Sequence, residues 1–169
     1  MKNIIIGLAI TASALTLSSV TYAQNTVSIK AIVNAYLQMK NAFTEDNSSG
    51  AATAGKNMEA ALKNFDKSSL TPLQKKTYED VEADAREHAE HIGKNGGNIT
   101  HQREHFVMLS KDIYDLVKTF GTGQVLYKDF DPMANNRKGA FWLSETKEIK
   151  NPYMGKAMLT RGSIKEEIK

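Results

Sequence analysis

The run His88-Ala89-Glu90-His91-Ile92-Gly93-Lys94-Asn95-Gly96-Gly97-Asn98-Ile99-Thr100-His101-Gln102-Arg103-Glu104-His105 joins two helical patterns through one glycine-rich turn. Before it, Leu73, Thr77, Val81, Ala85, His88 and Ile92 recur at helical spacing. After it, Ile99, Gln102, Phe106, Leu109, Ile113, Leu116, Val117 and Phe120 do the same. Gly93 is a natural C-terminal stop. Asn98 can cap the next helix by accepting from its unpaired N–H groups. Thr71 and Pro72 supply an N-cap and a first helical residue for the earlier helix. So short a connection predicts an antiparallel αα-hairpin.

Upstream, Ile29, Ile32, Val33, Tyr36, Leu37, Lys40 and Phe43 mark a helix that Asn47-Ser48-Ser49-Gly50 interrupts. Ala51, Ala54, Met58, Ala61, Leu62 and Phe65 mark another, whose small residues allow close helix approach. Lys67-Ser68-Ser69 ends that helix, and Gly121-Thr122-Gly123 ends the last one. Four amphipathic helices with short connections predict an all-α fold, an antiparallel up-and-down four-helix bundle over residues 24–123. Residues 124–169 carry Pro132, Gly139, Pro152, Gly155 and Gly162, which break long helices. They predict an irregular segment packed on the bundle, with turns and short helices over 143–149 and 153–159. Trp142, Met133, Met154 and Met158 make this segment too apolar for a disordered linker.

Residues 1–23 read as a secretory signal peptide. Lys2 is followed by the apolar run Ile4 to Val20, then small residues at Thr21 and Ala23. Cleavage before Gln24 leaves a single domain, 24–169, long enough to bury its own core. The expected location is periplasmic or secreted, with no membrane insertion after cleavage, since no other stretch approaches the roughly 20 apolar residues of a membrane span. With 0 cysteines, a lipid-modified anchor and disulfides are excluded. The net charge of +3 comes from interspersed acids and bases. No basic stripe or aromatic platform exists for nucleic acid.

The chain has 4 histidines, and all of them lie in the hairpin run. On facing helices, His91 and His101 form one rung near the turn, and His88 and His105 another about one turn deeper. Neutral imidazole is the commonest protein ligand for transition metals. Copper, as Cu(I) or Cu(II), or zinc suits nitrogen ligands of this kind. Met133, after Pro132 in a turn, adds a soft thioether. The 13 residues from Phe120 could carry it at most about 43 Å, enough to reach back along a helix rise of roughly 28 Å. The candidate metal ligands are therefore His88, His91, His101, His105 and Met133. Other chemistry is absent. No Glu stands three residues before any histidine, as a di-iron bundle needs. His-Glu-x-x-His, cysteine-based haem attachment and phosphate-cradling loops are missing too. No enzyme activity is expected.

The C-terminal segment carries longer motifs: Asp131-Pro132-Met133-Ala134, then Lys138-Gly139-Ala140-Phe141-Trp142-Leu143-Ser144, then Ile149-Lys150-Asn151-Pro152-Tyr153-Met154-Gly155-Lys156-Ala157-Met158-Leu159. These resemble an exported bacterial domain of unknown function, which occurs alone or fused to the C-terminus of periplasmic adaptor subunits of copper and heavy-metal efflux pumps. His91-Ile92 and His101-Gln102-Arg103-Glu104-His105-Phe106 resemble its helical half. The resemblance implies a helical domain that binds copper or related ions, with an efflux adaptor protein as partner. That family typically has Cys-Pro-Met where this chain has Asp131-Pro132-Met133, and a second cysteine where it has Arg161-Gly162. Asp131 offers an oxygen donor, whereas Arg161 cannot bind a metal. An Asp131–Arg161 ion pair is the expected replacement for a Cys–Cys contact.

The function expected is therefore periplasmic metal-ion binding linked to copper or heavy-metal handling. The alternative is a non-catalytic interaction module that docks onto an envelope or efflux component through Phe141, Trp142 and Tyr153. Exposure of those aromatics, against convergence of the histidines, separates the two.

Overall fold

The computed structural model describes the backbone from residue 15 and side chains from residue 29, so most of the expected signal segment, residues 1–23, lies outside the described residues. Four long helices follow one another: α1 (Leu15–Thr44), α2 (Ser48–Lys63), α3 (Pro72–Lys94) and α4 (Ile99–Phe120). Their starts obey capping chemistry. Asn47 and Asn98 side chains accept from the N–H groups of Gly50 and His101. Thr71 and Gln74 form a reciprocal capping box ahead of α3. Each helix packs on the next in sequence, and α1 also packs on α4. The α2–α3 contact is backbone-close, because a Cβ added at Gly55 would lie 2.8 Å from both the Ala89 carbonyl oxygen and the Gly93 nitrogen.

The expected apolar stripe of α3 holds at Val81, Ala85 and Ile92, which are buried, and fails at Leu73, which is 66% exposed, while Tyr78 and Ala89 join the buried face. His88 lies at the margin of the core, where it is half-buried.

The C-terminal segment departs from expectation. It is a three-stranded antiparallel sheet in the order β2-β1-β3, made of β1 (Leu126–Asp131), β2 (Ala140–Ser144) and β3 (Ser163–Ile168). No helix forms over 143–149, since Leu143 and Ser144 belong to β2. Near 153–159 there is one 3-10 turn, Gly155–Met158. The chain is thus predominantly helical and not all-α. The strands lack a readable alternation. The buried positions of β1 include Asp129 and Asp131, and β3 is largely exposed and charged. Between β1 and β2, Asn135, Asn136 and Arg137 adopt φ of 51°, 55° and 66°. Three successive left-handed residues without glycine are uncommon, because Cβ crowds the following carbonyl.

Strand β2 rests on α1 and α4, held there by buried hydroxyls. The Ser110 hydroxyl donates to the Phe106 carbonyl at 2.8 Å. It must therefore accept from Tyr36 Oη, also 2.8 Å away. Tyr36 Oη in turn accepts the Leu143 N–H of β2 at 3.0 Å. Tyr153 Oη donates to the Phe141 carbonyl at 2.6 Å. Trp142 is 0% and Tyr153 9% exposed, and Phe141 is half-buried. Of the aromatics proposed as docking anchors, Trp142 and Tyr153 are core and Phe141 is not. Beneath the sheet, buried Lys40 pairs with Glu145 at 2.9 Å. Asp129 lies buried beside the Trp142 indole N–H, its one hydrogen-bonding neighbour, and neither oxygen has a well-aligned bond. Burial pushes its carboxyl up to about 7, against the pull of Lys40.

The expected Asp131–Arg161 pair is present. Arg161 Nε donates to both Asp131 oxygens at 3.1 Å. The carboxylate also accepts from Met133 N–H at 2.9 Å and Asn151 Nδ2 at 2.9 Å.

Tyr36→Phe leaves the Leu143 N–H without its acceptor, so denaturant unfolding should show a loss of about 1–3 kcal/mol. Charge reversal at Asp131 or Arg161 alone should destabilise the fold by about 3–5 kcal/mol. The double reversal should restore part of that loss, since the Met133 and Asn151 donors still need a carboxylate; additive losses would count against the pair.

Candidate metal centre

The histidine rungs form as the hairpin requires. The rings of His91 and His105 stack with centroids 4.2 Å apart and planes 13° from parallel. His101 meets His105 edge-on at 4.6 Å and His91 at 5.8 Å. One nitrogen each of His91, His101 and His105 lies within 4.8 Å of the others. His88 joins from the deeper rung, its Nδ1 3.1 Å from Nδ1 of His105. All four rings are half-buried at the α3–α4 seam.

Gln102 fixes the seam's depth. It is 0% exposed, and its amide donates to the Ile92 carbonyl at 2.9 Å and the Ser48 carbonyl at 3.1 Å. Its oxygen accepts from Ser48 Oγ at 2.6 Å, and Ser48 Oγ accepts the Gly97 N–H at 2.8 Å. The end of α3, the turn, and the starts of α2 and α4 are thus tied at one point. Arg103 ties the same part of α4 to its surroundings, donating to the Pro152 carbonyl at 2.7 Å and to the Phe43 carbonyl at 2.8 Å. It also pairs with Asp46 at 2.7 Å. Sequence reasoning placed Gln102 on the inward stripe without giving it a role. A buried glutamine next to a turn, with unpaired helix-end carbonyls nearby, is the signal that could have found it.

The electrostatics favour the neutral form of His105 and His88. Burial first, then the neighbouring His91, His101 and His88, hold His105 down at about 4. Burial likewise lowers His88. A neutral imidazole keeps a lone pair for a metal. In a tetrahedral site with bonds near 2.0–2.1 Å, ligand nitrogens lie roughly 3.3 Å apart. The trio needs only a modest contraction to reach this. Lone pairs lie in the ring plane, so the stacked His91 and His105 rings must tilt apart for both to face one ion.

Met133 is not brought to this group. It is 45% exposed and lines a recess of about 310 Å3 with Arg103, Glu104, Val107, Tyr153 and Met154. The α4 residues of that recess, Thr100, Arg103, Glu104 and Val107, lie roughly a third of a turn around the helix from His101 and His105. Met108, exposed and three residues beyond His105, is the thioether on the histidine side. Asp131 is enclosed and satisfied within the sheet, away from any ligand role.

A half-buried cluster of four histidines at a hairpin tip marks this helical domain, and sequence comparison supplies the family. Residues 32–125 match the profile of the family described as Protein of unknown function (DUF3347), so the chain belongs to that family. The match covers the helical part and stops before β1, leaving the C-terminal motifs outside it. Comparison with curated proteins and with solved structures finds no match.

The depressed His105 gives a pH test. The unfolded chain binds its proton near pH 6.5, the folded chain near 4. The stability it contributes is present above about 6.5 and is lost as pH falls toward 4. Asp112 and Asp129, both raised to about 7 by burial, act in the opposite sense, losing stability as pH rises. Denaturant midpoints between pH 7.5 and 4.5 should therefore fall less in His105→Asn than in the unaltered protein. Parallel curves would exclude this role for His105.

Proposed function

We propose that this chain binds a transition-metal ion, copper or zinc, through the imidazoles at the tip of the α3–α4 hairpin. The observation that carries the reading is the convergence of His91, His101 and His105 within 4.8 Å. Three nitrogen donors without a thiolate suit Cu(II), Zn(II) or, with a thioether, Cu(I). His88 stands at the edge of this site, whereas Met133, also expected as a ligand, lies in the separate recess and is not part of it. We read the four helices as an antiparallel up-and-down bundle, with the hairpin tip at one end. The resemblance to domains fused to periplasmic copper and heavy-metal efflux adaptors supports a role in metal handling in an exported compartment, with an efflux adaptor as partner. The docking alternative is the weaker reading, because two of its three anchors, Trp142 and Tyr153, are buried.

Titration of the purified protein with Zn(II), Cu(II) and Cu(I) tests this, beside a His91→Ala/His105→Ala variant. Saturable binding of one ion per chain is expected, reversed by a chelator and weakened in acid, where protons compete for imidazole. The double variant should lose it. No saturable binding, or binding unchanged in the variant, would sink the proposal.

A further inference from the structure

Resting on the metal reading above, we infer that His88 is a positioning residue for His105 and not a fourth ligand. The histidines are not equivalent. His91, His101 and His105 each offer a nitrogen to one common point, and His88 stands outside that group. Among the described ring contacts, His88 packs against His105 alone, with centroids 5.3 Å apart. The link is one hydrogen bond between their Nδ1 atoms, 3.1 Å apart.

That bond fixes the proton positions. Two imidazole nitrogens at this distance must share a single proton, one donating and one accepting. With its Nδ1 engaged by His88, His105 has Nε2 free for the ion. A neutral ring that gives Nε2 to a metal carries its proton on Nδ1. His105 then donates this proton to the Nδ1 lone pair of His88, so His88 is neutral and carries its own proton on Nε2. Metal-bound histidines generally have their second nitrogen held in this way, by a carboxylate, carbonyl or water. Here another imidazole does so. His101 has a weaker counterpart, its Nδ1 3.6 Å from a Glu104 carboxylate oxygen. If His88 turned its Nδ1 to the ion instead, the half-buried His105 Nδ1–H would lose its acceptor.

The site is then a three-imidazole centre at the half-exposed seam, with its fourth position open to water or to a donor from another molecule. That is the coordination of exchangeable sites, whereas structural zinc sites are closed by four protein ligands.

The test uses Zn(II) on the whole protein and on His88→Ala and His88→Asn. Asparagine places an amide oxygen where the Nδ1 acceptor stands. X-ray absorption should count three imidazoles on zinc in all three proteins. His88→Ala should weaken affinity by roughly 10- to 100-fold, and His88→Asn should recover most of that loss. Nitrogen-15 NMR of the zinc-loaded unaltered protein should show His88 protonated at Nε2 and unmetallated, a readout that needs no variant to fold. Four imidazoles in the unaltered protein, or a metal-shifted His88 nitrogen, would overturn this assignment while leaving the metal reading intact. No zinc binding at all would overturn both.

Discussion

Gln102 is the side chain on which the geometry of the hairpin tip depends. Helix ends leave carbonyl and N–H groups unpaired, and a buried turn must satisfy them or lose stability. One amide meets that need at the end of α3, donating to the Ile92 carbonyl, and also ties in α2 through the Ser48 carbonyl, while the Ser48 hydroxyl accepts from the turn at Gly97. The fully buried side chain of Gln102 thus sets the rotation of α4 at its first turn. Once that rotation is fixed, His101 and His105 must emerge on the side facing His88 and His91. The backbone contact at Gly55 and Gly93 fixes the other side of the same turn against α2.

Two kinds of polar burial serve different ends. The hydroxyls of Tyr36 and Ser110 are matched donor to acceptor and join α1, α4 and β2. Asp129 and the Lys40–Glu145 pair beneath the sheet are less well satisfied. An unpaired buried carboxylate is costly when charged, so it holds a proton to higher pH. His88 and His105 occupy the intermediate case, buried enough to favour the neutral ring and still partly exposed.

The helices were legible because their signals are local and redundant. Apolar spacing, Thr71-Pro72 and Asn98 agree with the observed ends, whereas α3 runs past Gly93 to Lys94, Ser48 to Gly50 belong to the first turn of α2, and α2 stops at Lys63, before Lys67-Ser68-Ser69. The histidine rungs followed from the hairpin, since numbering alone pairs residues across a short turn. The sheet was not legible. Asp129 and Asp131 are buried for reasons of pairing, so β1 shows no apolar alternation, and the exposed β3 gives no periodic signal. The reach of Met133 was a question of chain length, whereas its place depends on the left-handed turn at Asn135 to Arg137. Rotation about a helix axis is also poorly fixed by pattern, as exposed Leu73 and buried Tyr78 show.

The close crossing of α2 and α3 at Gly55 and Gly93 has a consequence for how this fold can change. The hairpin tip is gripped on its inner side by backbone and by Gln102, and the imidazoles stand on its outer side. The interior grip and the histidine side therefore draw on largely different residues. If the proposed site binds metal, its donors can change while the grip at Gln102, Gly55 and Gly93 stays the same. The tip is in that sense a graftable platform, on which ligand preference can drift or be redesigned without rebuilding the domain.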